Sequence, residues 1–266
     1  MNASTLAIEQ VAGRSAVVAA HAHTPLKWLA PRNHGHAAWV FQSTYGGGFV
    51  GDDALELDIE VRAGASLFLS SQAASKVYRA TQSRFTLQAR VAEHATLVCW
   101  PDPVVCFAGA RLTQRQSFQL APSARLVCVD ACTAGRVAAG ERWAFEHLAM
   151  KLELAIDGAP CFTDALVLSP AHGALPPRLS PFDAFSTVVL AGRPLEAACD
   201  RVEGQINAVA LQRADGRPLV VCSRWPWGLV VRIAAGSMEA LAHVTRGLLQ
   251  PLLPELLGDD PLERKW

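Results

Sequence analysis

Several carboxylates stand in otherwise apolar surroundings, most of them at glycine or proline turns. Asp52 and Asp53 follow a glycine-rich stretch, Asp102 lies between Pro101 and Pro103, Glu141 follows Gly140, and Glu146 precedes His147. Isolated oxygen ligands suit a hard or borderline divalent ion in transit, because they exchange more readily than a cage of thiolates. The same acids could instead cap turns or pair with Arg111, Arg136 or Arg142. His21-Ala22-His23 and His34-Gly35-His36 are two His-x-His pairs. In a strand, residues i and i+2 point the same way, so each pair could grip one metal. Neither pair has a clear third ligand, which favours plain exposed histidines. Cys128-Val129-Asp130-Ala131-Cys132 sets two thiols four apart without the Cys-x-x-Cys pairs of a structural zinc site. These cysteines read as buried, inert thiols.

Other chemistries lack their residues. Gly46-Gly47-Gly48 has no Lys-Ser/Thr tail and no helix pattern after it, so it is not a phosphate loop. A glycine triplet before Phe49 supplies a tight turn or a close backbone approach instead. No Gly-x-Ser-x-Gly elbow occurs. With 24 basic and 24 acidic residues the formal charge is +0, and no basic run marks a nucleic-acid binder. Low self-repulsion also predicts poor solubility for the free protein. No signal peptide is expected from the opening residues. The most apolar region, 219–236, is interrupted by Arg224, Pro226 and Arg232 and cannot span a bilayer. Seven irregularly spaced cysteines predict no disulfide framework and a reduced, cytoplasmic protein.

The elements that would position these residues show an internal repeat. Val61-Arg62-Ala63-Gly64-Ala65-Ser66-Leu67-Phe68 aligns with Val91-Ala92-Glu93-His94-Ala95-Thr96-Leu97-Val98 and with Leu120-Ala121-Pro122-Ser123-Ala124-Arg125-Leu126-Val127. Ile156-Asp157-Gly158-Ala159-Pro160-Cys161-Phe162 is a weaker fourth copy. The central alanines, 65, 95, 124 and 159, recur about every thirty residues. Each unit reads as strand, tight turn, strand, with Leu55, Leu57, Ile59 and Val61 alternating against Glu56, Asp58 and Glu60. A unit that cannot bury its own face must stack on the next. The expected fold is mainly β: a stacked, β-helix-like body or layered antiparallel sheets, over residues 1–170. Prolines 170, 176, 177 and 181 mark a boundary to a mixed strand and helix part, 171–266, expected to pack on the body as one continuous domain, with strands at 187–190, 219–222 and 229–233. Two helices are expected there, at 195–202 and from an N-cap at Ser237 through Gln250. Leu241, Thr245, Leu248 and Leu249 form an apolar stripe on the second, a candidate partner surface if it stays exposed.

Four segments in order resemble the UreD (UreH) family of urease accessory proteins. They are Tyr45-Gly46-Gly47-Gly48-Phe49-Val50-Gly51-Asp52-Asp53, then Leu69-Ser70-Ser71-Gln72-Ala73-Ala74-Ser75-Lys76-Val77-Tyr78-Arg79, then Trp100 to Arg111, then Gly135-Arg136 with Gly140-Glu141-Arg142-Trp143-Ala144-Phe145. The resemblance implies a β-rich, helix-like body and a non-enzymatic role in urease maturation. It implies partners: a UreF-type accessory protein, a UreG-type GTPase recruited through the complex, and apo-urease. It implies no permanent cofactor, only nickel in transit through an internal tunnel. On that reading Asp52, Asp53, Asp102 and Glu141 are candidate tunnel acids, and Ser71, Gln72, Lys76, Tyr78 and Arg111 are tunnel-wall or structural residues. Two alternatives stand beside it: a metal-dependent β-helical enzyme using His21, His23, His34 and His36, and an interaction module without metal contact.

Overall fold

The computed structural model describes residues 3–79, 82–208 and 217–264. Its strands fall in two facing sheets. Sheet A holds β1 (Ser4–Val11), β2 (Arg14–His21), β6 (Ala54–Val61), β9 (Ser83–Val91), β12 (Arg111–Leu120), β14 (His147–Ile156) and β15 (Ala159–Leu168), in the order β15-β14-β12-β9-β6-β1-β2. Sheet B holds β3 (Leu26–Leu29), β4 (Ala38–Thr44), β7 (Ser66–Ser71), β10 (Thr96–Cys99), β13 (Arg125–Thr133), β16 (Ala184–Ala191), β17 (Leu219–Trp225) and β18 (Gly228–Ala235), in the order β17-β18-β16-β13-β10-β7-β4-β3. A short strip, β5 (Gly48–Phe49), β8 (Ser75–Val77) and β11 (Val104–Cys106), joins sheet B along β13.

The chain runs A, B, strip and back to A, so the ~30-residue repeats are the coils of a β-solenoid. A strand that returns to its own sheet only after visiting the other always runs the same way. Pairing between coils is therefore parallel, as in β6–β9, β9–β12, β7–β10 and β10–β13. Antiparallel pairs, expected throughout by a layered arrangement, occur where the stack is capped: β1–β2, β3–β4 and β14–β15, and across β13-β16-β18-β17.

The repeated alanines are the corners. Ala65, Ala95 and Ala124 have no exposed surface, and their peptides form a ladder, with Thr96 N–H donating to the Ala65 carbonyl and Arg125 N–H to that of Ala95, both at 2.9 Å. The fourth copy does not turn this corner. Asp157 and Gly158 both have left-handed φ, 51° and 74°, which closes a tight hairpin. Ile156 pairs directly with Ala159, and β15 folds back along β14 within sheet A.

The two sheets are buried differently. Sheet A buries one face, Leu55, Leu57, Ile59 and Val61 pointing inward. Sheet B buries both: Leu67, Leu69, Leu97 and Cys99 enter the solenoid core, whereas Phe68, Val98, Val127 and Val129 enter a second core under helices α2 (Glu196–Ala208), α3 (Met238–Leu249) and α4 (Leu253–Leu257). A further short helix, α1 (Leu175–Leu179), follows Pro170. Ser237 caps α3 by accepting a hydrogen bond from Ala240 N–H at 3.1 Å.

The α3 stripe corrects the docking expectation. Leu241, Thr245 and Leu249 are buried in the second core, and Leu248 is half-buried against it. The apolar outer face of sheet B needs cover, and this chain's own helix supplies it.

Candidate functional site

The solenoid interior is not uniformly apolar. On β12, Leu112, Phe118 and Leu120 point into the core with Gln114 and Gln116 between them, all buried. On β13 the inward set is Leu126, Cys128, Asp130 and Cys132. Gln114 Nε2 donates to Asp130 Oδ1 at 2.6 Å. Gln114, Gln116, Asp130 and Cys132 border neighbouring cavities. A cavity of about 160 Å³ opens beside Gly47, Ser71 and Gln72. It shares Gln42, Phe49, Ser75 and Phe85 with a small cavity of about 20 Å³, lined also by Asp102, Gln114, Gln116 and Asp130. That volume holds about one water molecule. Asp130 also lines the next cavity, of about 420 Å³, which reaches Asp164, Thr187 and Arg232 between β15 and β18. There Asp164 is paired with Arg232 and accepts a hydrogen bond from Thr187 Oγ1 at 3.0 Å.

Asp130 is the electrostatic centre of these cavities. Burial first, and the Asp164 charge after it, push its pKa up to about 7 against the hydrogen bonds from Gln114 and Gln116, which lower it. By accessible area Asp130 is only half-buried, because it borders two cavities; its enclosure by protein sets its proton affinity. A carboxyl poised near neutrality beside a cavity is a common mark of a functional site. It is absent from the acids singled out by turn context. The signal was strand alternation: 126, 128, 130 and 132 share a face, and one of them is a carboxylate.

The acids singled out by turn context take other places. Asp52 Oδ1 accepts from Gln82 N–H at 3.0 Å, and Asp53 Oδ2 from Val50 N–H at 2.7 Å. Asp53 closes the turn into β6, and Asp52 ties that turn to the segment entering β9 on the next coil. Glu141 pairs with Arg136 through Nε at 3.0 Å and accepts from Ala108 N–H at 3.1 Å. Those bonds hold its carboxyl below the usual range, Arg136 first. Arg136 in turn lies 4.4 Å over the Phe107 ring, which meets Tyr78 edge-on at 5.0 Å. Thus Tyr78, Phe107, Arg136 and Glu141 lock the strip to the following loop. Arg111 pairs with Glu146 at 3.1 Å on the surface. Lys76 is exposed, and its backbone explains Gly48, where a Cβ would strike the Lys76 carbonyl. Asp102, Ser71 and Gln72 alone of the set border the cavities. Asp102 N–H donates to Ser71 Oγ at 2.8 Å, and Ser43 Oγ donates to Gln72 Oε1 at 2.6 Å.

No group of three or more His, Cys, Asp or Glu is assembled as a metal site among the described residues. The four histidines of the enzyme alternative do not form one ligand set. The His21 and His23 rings lie 4.4 Å apart, while His36 Nε2 contacts the Leu256 carbonyl at 3.2 Å and His34 N–H donates to Asp259 at 3.2 Å. The interior thiols are free. Burial pushes Cys106 up to about 12 and Cys132 higher, and a bond to Cys99 together with burial raises Cys128. Thiols held protonated are poor nucleophiles and poor ligands. No helix among the described residues is long and apolar enough to cross a membrane.

Comparison with known proteins finds relatives along nearly the whole chain. The family model described as UreD urease accessory protein matches residues 3–266. The urease accessory protein UreD of Sorangium cellulosum (strain So ce56) is 46% identical over 98% of this chain and 83% of its own length. That of Anaeromyxobacter sp. (strain Fw109-5) is 40% identical over 97% and 87%. The urease accessory protein D of Oryza sativa subsp. indica is 33% identical over 94% and 92%. The chain belongs to the UreD family of urease accessory proteins.

Proposed function

We propose that this chain is a non-enzymatic subunit of the cytoplasmic machinery that matures urease, binding apo-urease and a UreF-type protein, through which a UreG-type GTPase joins, and passing nickel through its interior. The observation that supports the route is Asp130, a carboxyl raised to about 7 that borders both a one-water cavity and the larger cavity of about 420 Å³. Oxygens of Gln114, Gln116, Asp102 and Asp130 there can replace part of the ion's hydration shell without forming a closed cage. A cation arriving beside a protonated Asp130 favours loss of that proton; the carboxylate then holds the ion, and reprotonation favours its release. Nickel is the cargo, with no resident cofactor.

The test is Asp130→Asn, which keeps shape and removes the charge. With the urease operon co-expressed, complexes should assemble in pull-downs, while nickel per urease active site, by elemental analysis, should fall severalfold. Full nickel loading in that variant would remove the interior route and leave a docking scaffold.

A further inference from the structure

Outside the interior cavities, one group of metal-ligating side chains is used by nothing else in the fold. β2 ends at His21, and the backbone on both sides of the His21-Ala22-His23 step is anchored. Trp28 Nε1 donates to the His21 carbonyl at 3.1 Å, His23 N–H donates to Ser4 Oγ at 3.0 Å, and Leu26 N–H donates to the His23 carbonyl at 2.9 Å. These bonds tie the step to the starts of β1 and β3. The two imidazole rings meet edge to face, centroids 4.4 Å apart with planes at 82°. His21 is exposed and His23 half-buried, and among the described residues no ring nitrogen of either donates to or accepts from protein.

We propose that His21 and His23 form a two-imidazole surface site for a borderline divalent transition-metal ion, separate from the interior route. Imidazole nitrogens bind such ions at about 2.0–2.1 Å, and a ring nitrogen lies about 1 Å from its centroid, so rings this close bring one nitrogen of each within the bite of a single ion after a small rotation about χ2. The ligand type selects nickel, zinc or copper over magnesium and calcium. With two protein ligands the remaining positions stay with water, so the site captures an ion and lets it go.

The second His-x-His pair shows why similar spacing does not suffice. Leu257 O accepts from both His36 and Ala37 N–H at 3.2 Å, the His36 ring contacts Leu256 O, and a Cβ at Gly35 or Gly258 would collide with the facing segment. His34-Gly35-His36 is the seat of the chain's own α4, not a free chelate.

The experiment is a Ni2+ titration of the full chain without a polyhistidine tag, by calorimetry, on the wild type, His21→Ala, His23→Ala, the double variant and His34→Ala. One equivalent of Ni2+ should bind at this pair. Either single substitution should weaken that binding at least about tenfold, the double should be little worse than either single, and His34→Ala should be neutral. X-ray absorption on the nickel-loaded wild type should report two imidazoles, and circular dichroism should show each variant folded. Unchanged stoichiometry and affinity in the double variant would overturn the site, as would loss of binding in His34→Ala alone. Asp130→Asn should leave the imidazole-ligated equivalent and its two-imidazole absorption signature in place whatever it does to interior binding, so failure of the interior route and failure of the surface site read out separately.

Discussion

Sheet A and sheet B are built by the same coils, yet an acid means something different in each. Glu56, Asp58 and Glu60 point outward from β6 into water, where Asp58 pairs with Arg90 at 2.8 Å. Asp130 points inward from β13, faces two glutamines, and holds its proton to about pH 7. Residue type is the same; enclosure and hydrogen-bond partners differ. Orientation across a strand, fixed by its two-residue period, therefore decides which carboxylates can do interior chemistry.

The largest effects should come from the sheet whose two faces are both packed. Phe68 is fully buried between sheet B and the helical layer, meeting Phe41 at 6.0 Å. Phe68→Ala should cost ~3–5 kcal/mol in chemical denaturation. Leu249→Ala on α3 belongs to the same layer and should cost ~2–5 kcal/mol, and half-buried Leu248→Ala clearly less. Equal, negligible costs at Leu248 and Leu249 would return the α3 stripe to the surface and reopen it as a docking face.

The sequence made the coils legible because their corners are tight. Ala65, Ala95 and Ala124 sit where the two sheets converge, and the parallel registers Ser66↔Thr96 and Thr96↔Arg125 reproduce the sequence offsets. The fourth copy was misleading for a physical reason: Asp157-Gly158 is a hairpin signal, and it overrides the similarity around it. The α3 helix and its Ser237 cap were legible from local chemistry. Its fate was not, because a stripe covered by the chain's own sheet has the same period as one left for a partner. Turn context does not separate caps from cavity acids: Asp53 caps Val50 N–H, whereas Asp102 borders an interior cavity. Asp130 was hidden because Cys128 and Cys132 invite a reading by metal-ligand spacing, although alternation places all three side chains together inside the coil.

A mid-sized effect should separate the two sheets by pH. Folding raises the Asp130 pKa from 3.8 to about 7. The folded chain therefore keeps a proton that the unfolded chain has released between those values. Stability from this group is fully present below about pH 4 and declines as pH rises through 7. Replacing Asp130 by Asn should flatten that decline and raise stability at pH 8 by ~1–3 kcal/mol, measured as urea midpoints across pH 4–8. A wild-type profile with the opposite slope that Asp130→Asn abolishes would mean the carboxyl is ionised and stabilised in the fold.

The smallest effect is expected on the wet face. Asp58→Asn removes one half of an exposed ion pair with Arg90, and such pairs contribute within about 1 kcal/mol. Glu56→Gln removes a charge from the outward row of the same strand. Neither side chain borders the interior cavities, so an ion moving inside would meet these charges only through protein or across screened solvent. Both variants should therefore keep thermal midpoints and urease nickel content near wild type, in the same co-expression assay that reads Asp130→Asn. A drop in nickel content from Asp58→Asn as large as that from Asp130→Asn, with assembly intact, would break the distinction between the sheets and move the ion path to the outer face of sheet A.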